Sequence, residues 1–228
     1  MLIYAHRGGA GEFPEASLQA YLGAIKAGSD GFECDLRLTK DEQIICYHDP
    51  TTKRLSKLDL KIANTTLAQL KEQVDPLGFV ELLELAIANK KDLVIEFKHP
   101  VPSRGLIEKK THQVLNQYAE QIKSSGIKIS LISFSFLATL RNKKSSYQTG
   151  FLINRKYLAR VNPSQVVAAN LEIIKADHNF VSTQKKRGRK VMVWTVNEPE
   201  DLILCKKLGI DAVITDYPAR ARLTLGYS

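Results

Sequence analysis

Long apolar stretches are missing from these 228 residues. No run approaches the roughly 20 residues that cross a bilayer, so stable membrane insertion is not expected. Cysteine is scarce: Cys34, Cys46 and Cys205 are widely spaced and odd in number. That excludes a disulfide framework and any zinc-type spacing, and free thiols fit a reducing compartment. The chain opens without a basic region leading into an apolar core, because His6-Arg7 interrupts almost at once. It therefore reads as cytoplasmic. Long acidic blocks, basic tails, internal repeats and low-complexity tracts are also absent. One domain spanning residues 1–228 is expected.

What is present suffices for one sizeable core, with 44% apolar residues. The net charge of +9 favours acidic partners: nucleic acid, anionic lipid or a phosphorylated substrate. Solvated surface lysines explain the same number equally well. The densest basic cluster, Lys185-Lys186-Arg187 with Arg189-Lys190, reads as a helix end and loop before a strand.

Apolar segments alternate with helical patterns. Strands are expected at 2–5, 31–38, 92–97, 127–133, 149–154, 166–171, 191–196 and 212–215. Helices are expected at 17–27, 81–90, 105–124, 136–144, 178–187 and 199–208, with a short turn at 156–160. Strand alternating with helix argues for a parallel sheet. Eight strands in this length point to an α/β protein, a closed (β/α)8 TIM barrel, with a doubly wound open sheet as runner-up. Ser17 caps the first helix, and Gly28 lies just past it. Residues 49–77 form the longest stretch without a clear strand. An extra strand at 44–47 precedes it, and a short helix lies near 67–72. This loop insertion is a candidate lid.

The chemistry gathers at strand ends. His6-Arg7-Gly8-Gly9 follows the first strand. Glu33-Cys34-Asp35, His48-Asp49 and Glu96-Phe97-Lys98 end or follow later apolar segments. Carboxylates are poor strand residues and costly to bury alone. Residues two apart on a strand share a face, so Glu33 and Asp35 project together, as do Glu96 and Lys98, while Cys34 points to the helices. Neighbouring barrel strands bring these groups to one rim. Three carboxylates without a cysteine ligand suit a hard divalent cation, Mg²⁺ or Ca²⁺, or Mn²⁺, rather than zinc. Arg7 and Lys98 offer bidentate and point-charge grips on phosphate. His6 and His48 titrate near neutrality and can divide the proton transfers. A structural ion-pair network among the same acids and cations is the plainer alternative. Gly8-Gly9-Ala10-Gly11 lacks the spacing and Lys-Ser/Thr of a P-loop and reads as a flexible turn lining the site. His99, His112 and His178 read as surface or helix decoration. Trp194, the single tryptophan, suits a core or a pocket wall.

In order along nearly the whole chain, the motifs resemble the glycerophosphodiester phosphodiesterase family. They are Ala5-His6-Arg7-Gly8-Gly9 with Pro14-Glu15, Glu33-x-Asp35, His48-Asp49, Glu96-x-Lys98, Ser133-Phe134, Trp194-Thr195-Val196-Asn197 and Ile214-Thr215-Asp216-Tyr217-Pro218. The resemblance implies a TIM barrel that hydrolyses glycerophosphodiesters to glycerol 3-phosphate and an alcohol. It puts the catalytic histidines at His6 and His48 and the metal carboxylates at Glu33, Asp35 and Glu96. The phosphate-binding cations fall at Arg7 and Lys98, and the glycerol-side aromatics at Phe134 and Trp194. Glu15 braces Arg7 or sits near the metal. The chain departs from the family at Ala16, where asparagine is usual, and at Thr52, where leucine is usual; Arg54 keeps its place.

The leading expectation is a metal-dependent phosphodiesterase acting on a small-molecule glycerophosphodiester, with His6 as base and His48 as acid. A lysophospholipase D or sphingomyelinase D-like activity on the same scaffold is the second reading. A non-catalytic phosphate- or nucleic-acid-binding barrel is the third. No nucleic-acid motif is present, so no nucleic-acid partner is expected.

Overall fold

The computed structural model describes residues 1–99 and 104–227. Nine strands form in chain order: β1 (Leu2–Ala5), β2 (Gly31–Leu38), β3 (Ile44–Cys46), β4 (Asp92–Phe97), β5 (Ile129–Ser133), β6 (Gln148–Ile153), β7 (Val166–Asn170), β8 (Lys190–Trp194) and β9 (Ala212–Thr215). The helices are α1 (Leu18–Lys26), α2 (Leu67–Lys71), α3 (Phe79–Ala88), α4 (Leu106–Gln117), α5 (Ala119–Ser125), α6 (Phe136–Asn142), α7 (Leu171–Ala176), α8 (Asn179–Lys186), α9 (Pro199–Lys207) and α10 (Pro218–Leu225).

Every strand but β3 lies parallel to its neighbours, and β1 pairs with both β2 and β9. That double pairing closes an eight-stranded (β/α)8 barrel and leaves the ring no open edge. The extra strand β3 runs antiparallel along the far end of β2, through Leu36–Cys46 and Leu38–Ile44. Alternation along each strand sorts the core into two layers. Tyr4, Val94, Ile132, Leu152, Ala168, Met192 and Ile214 pack together in one cluster with Trp194. Phe32, Cys34, Leu36, Leu93, Ile95 and Phe97 pack with Tyr21, Leu82 and Leu83 of the helices. The lumen is thus filled by side chains, as a barrel of this size requires.

Glycine decides one close approach here. A Cβ on Gly31 would stand 2.3 Å from the Asp92 carbonyl oxygen, so only glycine lets β2 start beside β4.

Three expectations change. The single helix at 105–124 breaks at Tyr118 (φ −99°, ψ 11°) into α4 and α5. No proline or glycine marks the break. The Tyr118 hydroxyl donates to Glu84 on α3, and Ile122 turns into the core. Leu171, read as the end of a strand, instead opens α7, capped by Asn170, whose side chain accepts from the Glu172 N–H. Residues 218–225 form α10, which begins at Pro218 and was hidden by its arginine-rich, weakly periodic sequence.

Candidate active site

Inward-facing positions on β2 and β4 turn acidic near the carboxyl rim. Glu33 and Asp35 follow Gly31 on the inner face, and Asp35 stands opposite Glu96 in the β2–β4 register. All three are buried, with donor oxygens within 4.8 Å of one another. The chain leaves β1 through a 3-10 turn, His6–Gly8, in which Arg7 adopts a left-handed conformation (φ 49°). A non-glycine residue there is strained and persists only when its surroundings hold it. Those surroundings are visible. The Arg7 N–H donates to Glu33 Oε2 at 3.1 Å, Nε lies 3.0 Å from Asp35 Oδ2, and Nη1 donates to Glu15 at 3.2 Å. A Cβ on Gly8 would meet the Ala20 backbone at 2.9 Å, so glycine lets α1 pack directly beneath this turn. Lys98 Nζ lies 3.0 Å from Asp35 Oδ1 and donates to Glu96 Oε1 at 2.8 Å.

Each histidine is fixed by an aspartate. His6 Nδ1 lies 2.6 Å from Asp216 Oδ1, and His48 Nδ1 lies 2.6 Å from Asp49 Oδ1. An ionised carboxylate only accepts, so Nδ1 carries the proton and leaves Nε2 to the pocket. Asn197 orients Asp216: its Nδ2 donates to Oδ2 at 2.7 Å while its Oδ1 accepts the Asp216 N–H at 2.9 Å. Arg54 donates from Nε to Asp49 Oδ2 and grips both Glu15 oxygens, at 2.6 and 2.7 Å. Arg37 donates twice to the His48 carbonyl oxygen, at 2.8 and 2.6 Å. One chain of contacts therefore runs from Arg7 through Glu15, Arg54 and Asp49 to His48.

A pocket of about 120 Å³ opens among His6, Arg7, Glu33, His48, Glu96 and Lys98, walled by Phe134 and Trp194. The two aromatic rings meet edge to face at 5.4 Å, and the Trp194 Nε1–H donates to the Ala168 carbonyl oxygen. A larger groove of about 720 Å³ lies on the outside of the barrel between residues 154–160 and the α7–α8 pair, and it holds none of these groups.

Charge in the pocket is unbalanced. Burial first, then the Asp35 charge, pushes Glu33 up to about 7 and Glu96 up to about 8. Burial would also raise Asp35, but Lys98 and Arg7 outweigh it and hold that carboxyl below its ordinary value. Burial opposes protonation of His6, yet the bond to Asp216 and the Glu33 charge outweigh it and raise His6. Burial lowers His48; Lys98 and Arg7 add to it and overcome Asp35 and Asp49. Although Arg7 Nε and Lys98 Nζ approach Asp35 closely, neither Asp35 oxygen gains a well-directed hydrogen bond. Two cations do not satisfy three buried acids. An all-oxygen donor set with unmatched negative charge fits a hard divalent cation.

The structure brings His6, His48, Arg7, Lys98, Glu33, Asp35, Glu96, Phe134 and Trp194 to one pocket. Glu15 stands behind Arg7, shared with Arg54, outside the acidic cluster. The ion-pair network and the pocket turn out to be the same object. Sequence reading assigned no role to Asp216, Asn197, Asp49 or Arg37. Asp216 directly follows β9, so the strand-end rule that selected Glu33 and Glu96 reaches it as well. Arg37 carried no signal, because its partner is a backbone carbonyl. His99 and His112 are not surface decoration. His99 Nε2 lies 3.1 Å from buried Glu108, and His112 Nε2 lies 3.1 Å from Asn142 Oδ1. A buried carboxylate on α4, unseen in the sequence, attracts the first.

Residues 6–220 match the Glycerophosphoryl diester phosphodiesterase family. The chain is 30% identical to a glycerophosphodiester phosphodiesterase of Caldanaerobacter subterraneus subsp. tengcongensis, over 95% of this chain and 94% of that one. It is 29% identical to a probable glycerophosphodiester phosphodiesterase 1 of Mycobacterium tuberculosis, over 98% and 92%. The structure of an Oleispira antarctica phosphodiesterase in complex with the product sn-glycerol-3-phosphate superposes with a TM-score of 0.89, covering 99% of this chain and 97% of that one at 22% identity. That likeness establishes the shared fold.

Proposed function

Since the chain belongs to the glycerophosphoryl diester phosphodiesterase family and is a phosphoric diester hydrolase, we propose that it is a metal-dependent enzyme cleaving glycerophosphodiesters to glycerol 3-phosphate and an alcohol. The observation carrying this reading is the buried trio Glu33, Asp35 and Glu96 between two aspartate-oriented histidines. The product bound in the Oleispira antarctica protein supports the same substrate class.

Glu33, Asp35 and Glu96 would hold the divalent cation, Mg²⁺ or Ca²⁺, which would supply Lewis-acid compensation of charge on the phosphate oxygens. Arg7 and Lys98 add fixed positive charge beside them. Arg7, which lines the pocket with its Nε and Nη1 beside Asp35 and Glu15, offers its guanidinium to the phosphate. His6 Nε2 takes the proton from the nucleophile, either water or the glycerol 2-hydroxyl; in the second case water then opens the cyclic glycerol phosphate to glycerol 3-phosphate. Asp216 and Glu33 stabilise the imidazolium that forms. His48 delivers a proton to the departing alcohol oxygen as the P–O bond breaks. Phe134 and Trp194 close the glycerol side and exclude water.

The test is a turnover panel of glycerophosphocholine, glycerophosphoethanolamine and lysophosphatidylcholine, with chelator and metal add-back. Hydrolysis of the unacylated diesters, lost with chelator and restored by metal, is expected. His6→Ala and His48→Ala should each lower kcat by about 10²–10⁴-fold. Near wild-type turnover in both variants would overturn the mechanism. Strong preference for the acylated substrate would favour the lysophospholipase D reading.

A further inference from the structure

Three aromatic side chains are the most exposed of their kind among the described residues, and they sit on one arc of the barrel mouth: Phe134 (41%), Phe136 (41%) and Tyr157 (62%). Phe134 follows β5, Phe136 opens α6, and Tyr157 lies in the 3-10 turn after β6, so all three rise from the carboxyl rim that holds the pocket. Leu137, beside Phe136, is 64% exposed. One strand further round the ring, beyond β4, the loop that follows His48 exposes Leu55 and Leu58. Scattered surface leucines are ordinary, but large apolar side chains gathered around one opening are not.

Basic residues accompany both groups. Lys53 and Lys57 flank Leu55, and Arg155 and Lys156 precede Tyr157. Lys156 pairs with Asp177 at 2.7 Å, whereas Lys53, Lys57 and Arg155 make no ion pair among the described residues. Exposed acids elsewhere on the rim are Glu12 after β1 and Glu198 and Glu200 at the start of α9, while Glu172 on α7 shares a groove with Arg155 and Tyr157. Asp59 lies in the loop after His48 and Asp177 beside Lys156, so acids are present in the basic arc but do not pair Lys53, Lys57 or Arg155.

We propose that this arc, built from the loop after His48 and from the β5–α6 and β6 turns, docks the barrel mouth onto an anionic lipid bilayer. Apolar tips enter the acyl boundary while lysine and arginine meet lipid phosphates. Nucleic acid offers no apolar phase for Leu55 and Leu137. A second copy of a chain with net charge +9 would bring like charges together. The inference stands apart from substrate choice, because its readout is partitioning.

The experiment is co-sedimentation of the full chain with vesicles of phosphatidylcholine alone, or with about a third phosphatidylglycerol. Binding to the anionic vesicles only, weakened by salt, is expected. Leu137→Ser with Tyr157→Ser should lower partitioning about tenfold. Lys53→Gln with Arg155→Gln should lower it about 25-fold, near fivefold for each cation lost. Both pairs should keep wild-type turnover of a soluble glycerophosphodiester. Ile203→Ser with Leu223→Ser, exposed on α9 and α10 away from the arc, should change nothing. Four outcomes would overturn the proposal: no vesicle binding, equal binding to neutral vesicles, equal loss in the α9–α10 pair, or binding to DNA in place of vesicles.

Discussion

At the scale of single residues, each of the two histidines is held by an aspartate. Asp216 and Asp49 fix the tautomers of His6 and His48, so each Asp→Asn change should keep the shape and mis-set the proton. We expect kcat for glycerophosphodiester hydrolysis to fall by about 10²–10⁴-fold in each, with KM little changed. An equal rise in KM would point to lost binding instead. Ala16 stands where the family usually has asparagine, and it adopts φ 56°, a left-handed conformation that costs an alanine roughly 1 kcal/mol. Its N–H donates to the Arg7 carbonyl oxygen at 2.8 Å, which holds it there. Ala16→Gly should therefore stabilise the protein by about 0.5–1 kcal/mol in urea unfolding. Asparagine visits the same conformation readily, which gives the family's usual residue a backbone reason at this position. Thr52 replaces the usual leucine and is fully buried. Its hydroxyl donates to the Leu58 carbonyl oxygen and accepts the Leu60 N–H, so the departure exchanges apolar packing for a loop clasp.

At the scale of elements, α4 and α6 are joined by a buried carboxylate. Glu108 accepts from Arg141 at 2.6 Å and meets His99, which follows Lys98. Burial would raise Glu108, but His99 and Arg141 outweigh it and hold it down to about 2. The folded value lies below the ordinary one near 4.3. Its stabilisation is therefore complete above about pH 5 and fades as pH falls toward 2. Glu108→Gln should cost roughly 2 kcal/mol at pH 7, and the gap to wild type should narrow at pH 3. Urea unfolding at both pH values measures it. Periodicity revealed α1, α3 and α9, whose apolar and capping residues follow local rules. It ran α4 into α5 because the break at Tyr118 answers to α3, a contact no local window contains.

At the scale of the whole molecule, closure of the ring decides the chemistry. β1 and β2 pair directly, so the turn after β1 sets His6 and Arg7 above the β2 acids. Fully ionised, the three acids would carry more negative charge than Arg7 and Lys98 offset, and burial with mutual repulsion instead raises Glu33 and Glu96. A bound dication should accordingly stabilise the fold as well as the reaction. We expect Mg²⁺ or Ca²⁺ at 100 times its Kd to add about 2.7 kcal/mol to the unfolding free energy of the wild type. Glu33→Gln with Asp35→Asn should abolish that gain, and a cation-independent Tm in the wild type would remove the metal reading.

The sequence by itself determined the alternation of strand and helix and the clustering of acids and histidines at strand ends. Both follow from short-range physics: a two-residue side-chain period on strands, and the cost of placing charge in an apolar segment without a purpose. Tertiary structure alone decided which groups hold the histidines, why Arg7 and Lys98 serve the acids before any ligand arrives, and where α4 stops. Asp216 lies 210 residues from His6, and only a closed ring of strands can turn that separation into a hydrogen bond.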